Sequence, residues 1–226
     1  MKVQLVENVL KANDEVASLN RRLLNEAGIF ALDIIGAPGC GKTAMIEAAT
    51  QLLQPELRVG IIVGDLATQR DADRMAKWCD QVVQINTGKG CHLEAHHVHQ
   101  ALEHMDLTKI DVLFIENVGN LICPVGFDLG QDVKIGMFSV SGGDDKAAKH
   151  PFIVCESALI LLGKTDLLQY VPFDMQLFRD DVKHLNPNVN IIGISATTGQ
   201  GLEKWVHWIK ARRSLRFSRA EAAQAE

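Results

Sequence analysis

Gly36-Ala37-Pro38-Gly39-Cys40-Gly41-Lys42-Thr43 is the stretch that decides the fold. It fits the phosphate-binding loop pattern G-x-x-x-x-G-K-[ST]. Upstream, Phe30-Ala31-Leu32-Asp33-Ile34-Ile35 is an apolar run that reads as a buried strand. Downstream, Ala44-Met45-Ile46-Glu47-Ala48-Ala49 reads as helix. Strand, loop and helix are the context the motif requires. Its glycines let successive backbone N–H groups turn inward on a phosphate, and the helix adds its positive N-terminal end. Lys42 would reach the β- and γ-phosphates and Thr43 would ligate Mg²⁺. Gly36, Gly39, Cys40, Gly41 and Ala44 complete the nucleotide contacts. The competing reading, a glycine-rich turn with a chance lysine, explains neither flanking element.

Composition bounds the rest. The chain has 226 residues, 47% hydrophobic and 23% charged, enough for one substantial core. A net charge of −5 gives no footprint for nucleic acid or an anionic membrane. The stretch Met1-Lys2-Val3-Gln4-Leu5-Val6-Glu7-Asn8 has no signal-peptide core. No apolar run approaches the roughly twenty residues needed to span a bilayer. A cytoplasmic protein is expected. Five scattered cysteines (40, 79, 91, 123, 155) argue against a disulfide framework and for core thiols or metal ligands.

Residues 3–27 read as a helix with one apolar stripe, Val6, Val9, Leu10, Val16, Leu19, Leu23 and Leu24. It precedes the first strand, so it is an appendage that either packs on the sheet or forms a docking arm. Strands and helices then alternate. Strands are expected at Val59 to Val63, Gln81 to Asn86, Ile110 to Ile115, Ile135 to Val140, Ala158 to Leu162 and Asn190 to Ser195. Helices are expected over 69–79, with Asp71 and Asp73 early in it, and over 93–105, 174–185 and 201–213. Such alternation predicts an α/β fold, a mainly parallel sheet with helices on both faces. Functional loops then belong at the carboxyl ends of the strands. The expected divisions are an N-terminal helix at 1–28, a nucleotide domain at 29–213 and a disordered tail at 214–226, rich in Ala, Arg, Glu and Gln.

Lys164-Thr165-Asp166 follows a late buried strand. An ionised Asp is acceptor-only. Guanine offers it two adjacent donors, whereas adenine presents an acceptor. The lysine stem can cover the base plane. Ser195-Ala196, at the end of the next strand, matches the backbone contact many GTPases make to the guanine carbonyl. The usual pattern is Asn-Lys-x-Asp, and this chain has Gly163 instead. The missing amide should loosen the pocket more than it changes base choice, so the expected ligands are GTP and GDP.

Glu116-Asn117-Val118-Gly119 ends another buried strand. Its carboxylate can hold Mg²⁺ through water, and the Gly119 amide can sense the γ-phosphate. Asp65, ending the second strand, is a further acidic candidate, with Thr68 just beyond. Lys42, Asp65 and Glu116 are therefore the expected catalytic groups, and Thr43, Asp65 and Glu116 the expected Mg²⁺ ligands. No water-positioning Gln or arginine finger stands out, so rapid unaided hydrolysis is not expected.

Cys91-His92 sits at a strand-to-helix turn, and Cys123 lies four residues after Gly119. Two thiolates and an imidazole suit Ni²⁺, Zn²⁺ or Cu. His96, four residues after His92, is a candidate extra ligand. Three ligands leave a set for water, His96 or a second subunit to complete. The alternative is buried thiols beside a solvated, histidine-rich helix. If the metal reading holds, Cys123 lies on the segment that Glu116 and Gly119 would move with nucleotide state.

These stretches together resemble the HypB family of hydrogenase-maturation, nickel-incorporation GTPases. The resemblance is carried by Gly36 to Thr43, Gly64-Asp65-Leu66-Ala67-Thr68 with Asp71-Ala72-x-Arg74, Ile85-Asn86-Thr87-Gly88-x-Gly90-Cys91-His92-Leu93, and Phe114 to Pro124. Ser139-Val140-x-x-Gly143-x-Asp145-Lys146 and the base region to Ser195-Ala196 extend it over roughly residues 10–210. It implies a SIMIBI-like phosphate-loop GTPase that dimerises with GTP and carries nickel or zinc at the dimer interface through Cys91, His92 and Cys123. It also implies nickel delivery to a hydrogenase large-subunit precursor with a small partner chaperone, HypA, which the N-terminal helix would contact. The chain lacks a cysteine-rich or histidine-rich motif before residue 28, and Cys40 stands where Ser is usual. A urease-accessory GTPase would favour Cys-Pro-His, but Val125 follows Cys123-Pro124. A small-molecule kinase would need an acceptor lid, often Arg-rich, where 126–150 is glycine- and aspartate-rich.

Overall fold

The computed structural model describes residues 9–65, 74–88 and 90–224. The start of the expected first helix, together with Thr68, Asp71, Asp73 and the first five residues of the expected helix over 69–79, lies outside the described residues. Among the described residues, seven parallel strands form one sheet: β1 (Phe30–Gly36), β2 (Val59–Asp65), β3 (Gln81–Asn86), β4 (Val112–Glu116), β5 (Val133–Ser139), β6 (Leu159–Gly163) and β7 (Asn190–Gly193), in the order β3-β2-β4-β1-β5-β6-β7. Central strands bury both faces, which is why they read as near-continuous apolar runs.

Alternate residues of β1 face opposite layers. Phe30, Leu32 and Ile34 pack with Met45 and Ile46 of α2 (Lys42–Leu53) and with Trp205 and Ile209 of the C-terminal helix. Ala31 joins Leu24 of α1 (Val9–Glu26) and Val98 and Leu102 of α3 (Ala95–Glu103). Two short helices, α4 (Lys146–Lys149) and α5 (Pro151–Glu156), were not expected from the sequence. Ile153 and Val154 of α5 pack with Phe178 and Val182 of α6 (Met175–Leu185) and with Ile35 of β1.

The N-terminal helix is pinned to the domain by buried asparagines. Asn20, fully buried, donates from Nδ2 to the carbonyls of Ala95 (2.8 Å) and Leu129 (3.1 Å). Asn13 donates to Asp128 O at 2.8 Å and accepts from Ala95 N at 2.8 Å. The packing alternative for this helix is therefore met; Leu10 and Leu19 remain exposed on it.

The last helix, α7 (Leu202–Gln224), continues into the residues expected to form a disordered tail. Ala, Arg, Glu and Gln are strong helix formers, and arginines anchor the extension. Arg213 Nε donates to Asp111 O at 3.2 Å. Arg216 donates to Asp132 Oδ1 (2.9 Å) and Asn25 Oδ1 (2.6 Å).

Register brings the working ends together. Glu116 of β4 is level with Ile34 of β1 and Val63 of β2, and Gly36 is level with Met137 of β5. The loops after β1, β4 and β6, and the carboxyl end of β2, thus lie on one edge of the sheet, where ligands of open α/β folds bind.

Candidate nucleotide and metal site

The phosphate loop takes the shape its glycines permit. Gly39 (φ 70°) and Gly41 (φ 106°) are left-handed, and α2 begins at Lys42. Lys42 is nearly buried, with Nζ 3.3 Å from Gly36 O and 3.4 Å from Ala37 O. Thr43 Oγ1 donates to Glu116 Oε1 at 2.8 Å, so the hydroxyl and carboxylate expected to share Mg²⁺ already touch. Hard oxygens in this pairing fit a divalent cation that keeps several waters. A cavity of about 490 Å³ is lined by Gly39, Gly41, Lys42, Thr43, Ala44, Asp65, Glu116, Gly119 and Lys164. Arg74 also lines it, a residue to which sequence reasoning gave no role; its guanidinium meets Glu47 of α2 at 2.5 Å.

A second cavity of about 300 Å³ adjoins it, lined by Cys40, Ala44, Met137, Lys164, Asp166 and Ala196 among others. Lys164 is left-handed (φ 59°) and caps the short 3-10 helix Thr165–Gln169, whose first turn carries Asp166. Ser195 is fully buried, and its hydroxyl accepts from Thr198 N at 3.2 Å, holding the turn that presents Ala196. The base loop is tied without the usual asparagine. Thr165 N donates to Ile194 O at 3.2 Å and Thr165 Oγ1 to Gln200 at 3.1 Å. At Gly163 a Cβ would meet Met137 Cε at 2.8 Å and Cys40 O at 3.1 Å, so Met137 fills the space beside it. Cys40 belongs to this apolar wall, and burial raises its thiol pKa.

The soft donors converge. One ligand atom from each of Cys91, His92 and Cys123 falls within 4.8 Å of the others. A hydrogen bond shared with Cys123 is the main reason the Cys91 thiol pKa is raised. Burial lowers the pKa of His92, favouring the neutral imidazole a metal requires. His92 Nε2 is buried with no hydrogen-bond partner, 3.8 Å from Glu94 Oε1. His92 Nδ1 lies 3.5 Å from Cys91 Sγ, and an imidazole nitrogen beside thiols fits a soft divalent cation. His96 stands apart: it is exposed, 3.5 Å from Glu94 Oε2, and its ring lies 3.8 Å from that of His97.

Asn120, also missed from sequence, joins the two sites. Its N–H donates to Gly36 O of the phosphate loop at 3.0 Å, and its side chain donates to Cys91 O at 3.3 Å. Its Oδ1 accepts from Ile122 N at 2.9 Å, next to Cys123.

Residues 31–193 match the family model described as CobW/HypB/UreG, nucleotide-binding domain. The chain is 43% identical over 208 residues to "Probable hydrogenase maturation factor HypB" of Methanocaldococcus jannaschii, covering 92% of this chain and 94% of that one. It is similar to the crystal structure of hydrogenase maturation factor HypB from Archaeoglobus fulgidus, with TM-score 0.85 and 38% identity over 90% of this chain and 100% of that one. It is also similar to HypB from Helicobacter pylori in complex with nickel, with TM-score 0.87 and 31% identity over 91% and 97% of the two chains.

Proposed function

Since the chain belongs to the HypB family of hydrogenase maturation factors and is a GTPase, we propose that it is a GTP-dependent nickel metallochaperone for nickel-iron hydrogenase. The observation that carries this reading is the convergence of Cys91, His92 and Cys123 beside a segment hydrogen-bonded to the phosphate loop.

In this reading the phosphate-loop amides and Lys42 bind the triphosphate. Asp166 and Lys164 select guanine, and Thr43, Asp65 and Glu116 hold Mg²⁺, which offsets phosphate charge. Gly119 registers the γ-phosphate, and Asn120 passes the change to Cys91 and Cys123. Arg74 meets Glu47, and the motifs read from the sequence include no water-positioning Gln, so hydrolysis is slow and serves as a switch. Nickel, or zinc in its place, is cargo on the thiolates and the His92 imidazole.

The proposed GTP-promoted homodimer brings two such sets together. Exposed Ile122 (65%) and Phe152 (74%), which line one groove with Cys123, support an interface there. HypA and the hydrogenase large-subunit precursor are the proposed partners. The three divisions at 1–28, 29–213 and 214–226 are proposed as functional units, the last now helical to Gln224. No helix among the described residues is long and apolar enough to cross a membrane, in keeping with the cytoplasmic location proposed.

Titrating Ni²⁺ and Zn²⁺, with sizing, in GDP and in a non-hydrolysable GTP analogue tests the reading. Nucleotide-dependent nickel affinity and dimer content are expected. Equal nickel affinity in wild type and in a Cys91→Ala/Cys123→Ala variant would remove the metal site.

A further inference from the structure

Asp33 lies inside β1 with no exposed surface, on the layer it shares with Ala31 and Ile35. Burial raises its pKa, and Lys134 and Asn117 oppose that rise. Lys134 Nζ lies 3.4 Å from Asp33 Oδ2, and Asn117 Nδ2 donates to Asp33 Oδ1 at 3.0 Å. Buried ion pairs seldom stabilise a fold more than apolar residues of similar volume. Geometry gives this one a different use.

Each partner of Asp33 reaches a different ligand-bearing segment. Lys134 Nζ donates to Phe127 O at 2.6 Å and Pro124 O at 3.4 Å, carbonyls that follow Cys123. Asn117, also buried, accepts at Oδ1 from Leu93 N at 3.0 Å, immediately after His92, and from Val118 N at 3.0 Å. The segments also meet directly, the Phe127 and His92 rings having centroids 4.0 Å apart. One carboxylate thus fixes, through two arms, the separation between the Cys91-His92 turn and the Cys123 turn.

We propose that Asp33, Lys134 and Asn117 are positioning residues that hold Cys91, His92 and Cys123 at the spacing a soft divalent cation requires. As a claim about metal affinity this rests on the metallochaperone reading. As a claim about the spacing of the two thiols it does not. Outer-shell contacts of this kind orient ligands without touching the metal.

The experiment uses full-length chain with Cys155→Ser, which removes the exposed thiol outside the cluster. Two readouts are taken well below the melting temperature. One is Ni²⁺ affinity, and the other is the rate at which dibromobimane bridges Cys91 to Cys123 with no metal present. Lys134→Met and Asn117→Ala are each expected to weaken Ni²⁺ binding by about tenfold or more and to slow bridging; Lys134→Met, outside the lining of the nucleotide cavity, should leave GDP affinity unchanged. Should a single variant fail to fold, Asp33→Asn/Lys134→Met removes both charges together and leaves neither unpaired. Wild-type bridging and wild-type nickel affinity in the folded variants would overturn the proposal. Slowed bridging in a chain whose wild type binds no nickel would sink the metal reading and sustain the positioning. In the unaltered protein, the Leu93 amide should exchange with solvent as slowly as those of β4. Exchange at the rate of a surface loop would overturn the proposal whatever the variants do.

Discussion

Gly119 presses on Pro38. A Cβ at residue 119 would lie 2.9 Å from Pro38 Cα and 3.0 Å from its nitrogen. The segment after β4 and the phosphate loop therefore cannot close further without moving each other. The next residue, Asn120, adds a hydrogen bond to Gly36 O at 3.0 Å. Gly119→Ala should introduce overpacking strain of about 1–3 kcal/mol. It is expected to weaken binding of a GTP analogue by about tenfold and to alter GDP binding less. Fluorescent-nucleotide titrations read the ratio of the two affinities. An unchanged ratio would show that the contact does not take part in sensing the γ-phosphate.

The base loop gives a second test. A Cβ at residue 163 would displace Met137 Cε, 2.8 Å away, and crowd the Cys40 carbonyl of the phosphate loop at 3.1 Å. Restoring the common residue should therefore harm this chain: Gly163→Asn lowers both the melting temperature and GTP affinity. Adding Met137→Ala makes room, and the double variant should recover much of both. If Gly163→Asn alone tightens GTP binding, the amide fits as it does in other GTPases and the packing account fails.

Much of this could be read from the sequence, because it depends on neighbours in the chain. Buried strands announce themselves as apolar runs, and Gln81–Asn86 was bounded correctly. The phosphate loop and the Cys-His turn are local patterns. What escaped depends on partners far apart. Asn117 meets Asp33 across 84 positions, and Lys134 meets it across 101. Asp33 in an apolar run gave a signal, since a strand-centre carboxylate needs a partner, but nothing local names that partner. The composition of the tail suits both an exposed helix and a disordered end. The bonds of Arg213 and Arg216 to distant residues favour the helix.

Asn20 offers a test of how the N-terminal helix is held. It is fully buried and satisfies the carbonyls of Ala95 and Leu129, and its Oδ1 lies 2.8 Å from His99 Nδ1. Asn20→Ala strands these groups, at a cost of roughly 2–3 kcal/mol. A lower urea midpoint with an unchanged slope is expected. If the midpoint stays at the wild-type value, α1 is held by its apolar stripe alone.

Asp111 supplies the pH dependence. Its carboxylate receives three hydrogen bonds from Arg58, from the backbone N–H, Nε and Nη2, at 2.7–2.8 Å. These hold its pKa down at about 2 in the folded chain, against about 3.9 for an unperturbed Asp. A depressed folded pKa means that the unfolded chain binds the proton first on acidification. The contribution is thus complete above about pH 4 and is lost as pH falls toward about 2. Asp111→Asn keeps the shape and removes the charge. Its urea midpoint should lie below wild type at pH 7, and the gap should narrow between about pH 4 and about pH 2. A gap that is constant over that range would mean that the contribution is packing and not charge.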